Sequence, residues 1–232
     1  MTSTTLLPVG QAPPTLKSSP PFRHEHVGSF LRTSEVHNAR AQFTEGKLDA
    51  AGLRKIENEE IKKHIDRCLH WKVPDLTDAE FRRQYFHVDF LQHIEGVEVQ
   101  KNCECHGRFW SSTLFFLLHA FLNFFCFAAL EQQEGHVPPT LAVTSKLRHS
   151  KNIEVDNFEY LKSIIPADQH HAIKITIPSP TMLHFRGGRK AISESAYPNL
   201  DDFFSDLAAC YREEIDALYK AGCRYLQLDD TK

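Results

Sequence analysis

The segment "HAIKITIPSPT", His171–Thr181, decides how this chain is read. Ile173, Ile175 and Ile177 make it a buried strand, and Pro178 and Pro180 fix its end, because proline cannot donate to a ladder. Working outward, Asn199 to Ala221 has the spacing of an amphipathic helix, with Phe203, Phe204, Leu207, Cys210, Ile215 and Leu218 turned inward. Gly222 stops that helix. "CRYLQLDD" then supplies another strand over Arg224–Asp230. Strand, helix and strand in that order are one unit of a parallel sheet covered by helices.

The upstream chain repeats the alternation. His26–Phe30 reads as a short buried strand that ends in a turn. Ser34 can cap a helix running to about Glu45, and Gly46 can end it. Asp49 can cap a second helix, in which Leu53, Ile56, Ile61, Ile65, Cys68 and Leu69 recur at helical spacing. "VPDLTDAEF", Val73–Phe81, is a second strand with polar groups at its C-terminal end. "TLAVTSKLRHSKNIEV", from Thr140, is a strand or hairpin, and "NFEYLKSII" a short helix. The expected fold class is therefore α/β: four parallel strands forming the first half of a (β/α)₈ TIM barrel. No covering helix follows Asp230, so the half-barrel should leave apolar surface open. Residues 1–21 are rich in Pro, Ser and Thr and read as a disordered lead-in.

Composition excludes some classes. The 232 residues are 41% hydrophobic and 25% charged, with a formal net charge of -3. That balance gives no electrostatic case for nucleic acid. The N-terminus has neither the charged start nor the apolar core of a signal peptide. A cytoplasmic protein with reduced thiols is the expectation for its six cysteines. One stretch departs from this. "STLFFLLHAFLNFFCFAAL", Ser112–Leu130, holds six of the 17 Phe and no charge apart from His119. It is long enough to span a bilayer. A span would put neighbouring strands of one barrel on opposite sides of the membrane, and a helix apolar all round has no place outside a barrel. Its Phe, Leu, Ser and Cys content fits a translated pyrimidine-rich intron. We read 101–133 as an insertion, and no membrane partner is expected.

Polar groups end each expected strand: Gly28-Ser29, Asp78-Ala79-Glu80, Ser179-Pro180-Thr181 and Asp229-Asp230. In a TIM barrel that face carries the active site. Here "EHVGSFLRT", "LTDAEFRRQYFHVDF", "TSKLRH", "KITIPSPTMLHFRGG" and "AGCRYLQLDDT" together resemble the cobalamin-independent methionine synthase family, in particular its short members made of the catalytic barrel alone. The likeness covers about residues 22–100 and 135–231, so 22–232 is expected to be an incomplete barrel interrupted by 101–133.

The resemblance implies zinc-dependent transfer of a methyl group from 5-methyltetrahydrofolate (polyglutamate) to the homocysteine thiol, giving methionine, without cobalamin. It implies that Gly28 and Ser29 take the homocysteine carboxylate and that Glu80 and Asp229 face its ammonium group. His26, Arg82, Arg83, His87 and Asp230 are further candidates for contacts with substrate or folate. Asp230 stands where the family has Glu, and "PSPTMLHF" lacks the family's Trp. A different methyl donor or thiol acceptor is therefore an alternative, as is a non-catalytic half-barrel that binds a partner or a membrane. The family's zinc ligands, a His-x-Cys pair, a Glu and a later Cys, correspond to positions beyond Lys232. The sequence as written is therefore expected to lack metal ligands and to be inactive alone. Cys103-x-Cys105 is spaced too tightly for an ordinary zinc pair.

Overall fold

The computed structural model describes residues 19–20, 22, 24–100 and 139–230. The apolar stretch Ser112–Leu130, Cys103 and Cys105 lie outside them. Among the described residues no helix is long and apolar enough to cross a membrane.

Two helices open the fold, α1 (Ser34–Thr44) and α2 (Ala50–His70). Thr33, one residue before the expected cap, is the N-cap of α1, its hydroxyl accepting from the Val36 N–H at 3.4 Å. Asp49 caps α2, accepting from the Gly52 N–H at 2.7 Å. A short α3 (Val88–Leu91) leads into β1 (Glu95–Gln100), which pairs antiparallel with β2 (Thr140–Arg148). Gly96, at φ +95°, makes the bulge in this hairpin possible; a Cβ there would sit 2.7 Å from the Lys146 carbonyl oxygen.

The helix α4 (Val155–Ile164) precedes β3 (Lys174–Pro178). Then α5 (Leu200–Ala221) leads to β4 (Tyr225–Asp229), which lies parallel to β3 with Lys174 opposite Tyr225 and Pro178 opposite Asp229. This is the strand–helix–strand unit read from His171–Asp230. On the other side of β3, Leu76 makes a parallel bridge to Ile173, flanked by Leu76 N–H to Ala172 O (2.9 Å) and Lys174 N–H to Leu76 O (2.8 Å). The order Leu76, β3, β4 is a parallel barrel wall.

Two expected strands are corrected. Residues 26–30 form no strand, and Val27 is 81% exposed. Their backbone groups bond to side chains instead of a ladder. The His26 N–H donates to Asp75 Oδ2 (3.0 Å), Lys174 Nζ donates to the His26 carbonyl, and Gln227 Nε2 donates to the Val27 carbonyl (2.6 Å). The second strand shrinks to the Leu76 bridge, because Ala79 (φ +60°) and Glu80 (φ +55°) leave extended geometry.

The core lies between the wall and its helices, with Ile61 and Ile65 of α2, Phe158 and Leu161 of α4, and Phe203 and Leu207 of α5 buried. Each such side chain contributes about 1.5–3 kcal/mol by leaving water. On α5 the buried line runs through Phe203, Leu207, Cys210, Tyr211, Glu214 and Leu218. Phe204 and Ile215, expected inside, are 43% and 37% exposed. Glu214 takes an inward place because its carboxylate accepts the Ile153 and Glu154 N–H groups (3.0 and 2.8 Å) and bonds to His149 Nε2 (2.6 Å).

Candidate functional site

At the C-terminal ends of Leu76–Asp78, β3 and β4 lies a cleft of about 630 Å³. Ser29, Glu80, His87, Asp229 and Asp230 line it, with Val27, Arg32, Tyr85, Phe86, Arg186 and Gln227. Five of the residues singled out from sequence therefore share one surface. Gly28 lies directly behind it: a Cβ there would meet Glu80 Oε1 at 2.9 Å and Thr176 Cγ2 at 3.2 Å. Only glycine lets this segment lie so close to the carboxylate.

Glu80 is the most constrained of these residues. It and Ala79 occupy the left-handed region, at about 1–3 kcal/mol each for a residue with a side chain. Four hydrogen bonds hold the turn: Phe30 N–H to Ala79 O (3.2 Å), Glu80 N–H to Asp78 Oδ1 (3.0 Å), and Arg32 Nη2 to the carbonyls of Glu80 (3.2 Å) and Arg83 (2.6 Å). The turn directs a buried carboxylate at the cleft. Burial pushes its pKa upward, as do Asp78 and Asp229, while Arg83 and the Thr176 hydroxyl pull it down.

On the far wall, Asp229 Oδ1 accepts from Gln227 Nε2 at 2.5 Å. Asp230 Oδ1 accepts from the hydroxyls of Ser179 (3.4 Å) and Thr181 (3.5 Å). His87 is buried, which lowers its pKa, and Arg186 lowers it further. Three carboxylates, those of Glu80, Asp229 and Asp230, line the cleft and suit a cationic group.

Three candidates from the sequence do not line the cleft. His26 Nδ1 bonds to Asp75 Oδ1 at 3.0 Å, and Asp75 in turn pairs with the fully buried Lys174 at 3.2 Å. Arg82 faces away from the cleft, stacked 5.0 Å from the Tyr160 ring centre and donating to Asn58 Oδ1 at 2.8 Å. Arg83 turns inward, beneath the cleft floor. Its Nη1 donates to Thr176 Oγ1 (3.2 Å), and its Nη2 donates to Glu154 Oε1 (3.1 Å) and to the Thr176 carbonyl. Sequence reading missed Gln227, Arg32 and Thr176. Gln227 was accessible in principle, since it lies two residues before Asp229 and so shares its face of the strand.

Among the described residues no three His, Cys, Asp or Glu side chains cluster closely enough to hold a metal ion. The described cysteines, Cys68, Cys210 and Cys223, are buried, and none lines the cleft. Burial pushes the thiols of Cys210 and Cys223 up to about 11. The residues present therefore do not fit a thiolate-type zinc centre, and no step is derived through one.

The same arrangement of chain exists in proteins of known sequence and structure. The uncharacterised protein YxjH of Bacillus subtilis is 35% identical over 215 residues, which is 91% of this chain and 48% of YxjH. A solved structure from Listeria monocytogenes, assigned as a vitamin-B12-independent methionine synthase, superposes with a TM-score of 0.67 at 34% identity, covering 91% of this chain and 52% of that one. The chain has a cobalamin-independent methionine synthase-like fold. The 5-methyltetrahydropteroyltriglutamate–homocysteine methyltransferase of Proteus mirabilis matches more distantly, at 23% identity over 88% of this chain and 22% of its own length. No protein-family model matches. The chain spans about half the length of curated relatives such as YxjH. The methionine synthase-like wall seen here is accordingly a partial barrel.

Proposed function

We propose that this chain is part of a methyltransferase that carries a methyl group from a methylated folate to the thiol of homocysteine, and that its cleft holds the amino-acid end of the acceptor. One observation carries the reading: Ser29, Glu80 and Asp229, drawn from three separated segments, converge on one cleft. The carboxylates of Glu80 and Asp229 would face the ammonium group. Among the described residues no hydrogen bond engages the N–H of Gly28 or Ser29, which leaves both for the ligand's carboxylate. Asp230, His87 and Arg186 would line the side from which the methyl donor approaches. The loop from Pro178 carries no Trp, which favours a second reading with another methyl donor.

Calorimetric titration of the chain with L-homocysteine and L-methionine tests the first reading. Wild type should bind both, and Glu80→Gln should weaken binding by about tenfold or more, the worth of a hydrogen bond to a charged group. Equal binding by the two chains would overturn the role of Glu80. Absence of binding by wild type would overturn the amino-acid reading.

The division of the chain belongs to the same proposal: a lead-in over 1–21 and a partial barrel over 22–232, with 101–133 foreign to it. Gln100 and Thr140 support this, since they are direct partners at the open end of the β1–β2 hairpin. The fold thus leaves and re-enters at one point, which a two-residue Asn-Gly turn can close. Replacing 101–139 by Asn-Gly should keep the melting temperature and increase soluble yield. A collapse of the melting transition would count against the insertion.

A further inference from the structure

We propose that Thr176 is a positioning residue: its hydroxyl fixes the Glu80 carboxylate toward the cleft and links it to the buried guanidinium of Arg83. The proposal rests on the reading of Glu80 as the group that meets the ligand's ammonium. Thr176 lies mid-strand in β3, is buried, and does not line the cleft. Nothing in its own position would mark it as functional.

The geometry points to a directed chain. Thr176 Oγ1 donates to Glu80 Oε1 at 3.1 Å and accepts from Arg83 Nη1 at 3.2 Å. A hydroxyl has one proton to give, and here it goes to the carboxylate because the guanidinium can only donate. Arg83 stands 3.6 Å from Glu80 Oε1, so its charge reaches the carboxylate chiefly in company with the hydroxyl. Behind it, Glu154 takes Arg83 Nη2 at 3.1 Å and accepts from Asn157 Nδ2 at 2.7 Å, while Asn157 Oδ1 accepts from Arg54 Nη1 at 2.7 Å. Each hydrogen bond in such a chain polarises the next. The Thr176 methyl group completes the fit, lying 3.2 Å from where a Cβ on Gly28 would be.

The consequence is a charge state as well as a position. Burial and the charges of Asp78 and Asp229 favour a protonated Glu80, and Arg83 and Thr176 oppose them. Arg32 adds a further cation on the Glu80 carbonyl. With the hydroxyl removed, Glu80 should hold its proton to higher pH and lose its fixed direction.

Thr176→Val keeps the shape and deletes the hydroxyl; Thr176→Ser keeps the hydroxyl. The experiment is a ¹³C NMR titration of the Glu80 carboxyl, with L-methionine calorimetry across pH, on the full chain and both variants. In Thr176→Val the Glu80 midpoint should move to higher pH, and methionine affinity at neutral pH should fall about tenfold, recovering as pH rises. Thr176→Ser should restore both. A folded Thr176→Val chain with an unmoved midpoint and unchanged affinity would overturn the proposal. If the midpoint moves but no chain binds methionine, the positioning role stands and the amino-acid reading falls.

Discussion

Replacing Arg83 by Met should cost about 3–5 kcal/mol of folding free energy, the penalty for leaving a buried charge without its partner. The guanidinium is almost wholly enclosed, and the groups it serves are enclosed with it. Glu154 is buried, and burial already drives its pKa upward against the pull of Arg83. Glu80 is buried at the cleft. Without Arg83, Glu154 must protonate or draw in water, and Thr176 loses the donor to both its carbonyl and its hydroxyl. A domain of ordinary stability has only about 5–15 kcal/mol in total, so much of it would go. Urea denaturation of wild type, Arg83→Met, Glu154→Leu and the double variant measures this. The double variant should recover a large part of the loss, because it removes both charges together. Additive losses would mean that the two side chains act independently, against the geometry.

Acid should destabilise the chain through His64, by up to about 3 kcal/mol at 1.36 kcal/mol per pKa unit. His64 is buried on α2 between the rings of Phe30 (4.5 Å) and Phe81 (5.8 Å), with Nε2 3.4 Å from Cys68 Sγ. Burial lowers its pKa from 6.5 to about 4; Arg67 and His26 add to the effect, and Asp78 opposes it. The folded state thus keeps the ring neutral where the unfolded chain would protonate it. A depressed histidine pKa gives stability that is complete above about pH 6.5 and is lost as pH falls through about 4. Urea midpoints for wild type should therefore decline across that window. His64→Gln, which cannot take up a proton there, should decline less, and the difference between the chains isolates the ring from the carboxylates. Parallel curves would show that His64 is not the group responsible.

The two experiments probe opposite faces of one arrangement. Arg83 holds charges together inside the wall, under the cleft. His64 keeps a polar ring neutral on the side where Leu31 and Trp71 are 96% and 75% exposed. On the other flank, Leu228 of β4 is 49% exposed. The apolar surface expected at the uncovered final strand is thus present at Leu228.

Local chemistry made the helices and the final βαβ unit legible in sequence. Asp49, Asn199 and Gly222 cap helices through bonds to neighbours in the chain, and the isoleucines of β3 alternate within one segment. Such signals need no distant partner. The sequence likewise placed Ser29, Glu80, Asp229 and Asp230 at ends of consecutive segments, and the fold gathers them into one cleft.

What failed to show in sequence depends on groups far apart in the chain. Residues 26–30 look like a strand, yet Asp75, Lys174 and Gln227 capture their backbone groups from 49, 148 and 200 positions away. The left-handed turn at Ala79-Glu80 has no glycine to announce it, and Phe30 and Arg32 hold it from outside. Arg82 and Arg83 are neighbours of the same type, but one stacks outward on Tyr160 and the other points inward at Thr176 and Glu154. The sequence by itself determined the helices α1, α2, α4 and α5 and the strands β3 and β4, because those preferences are set within a few residues. Only the tertiary structure decided which charges are buried and which polar groups meet, because a buried charge is tolerated only where distant segments bring its partner.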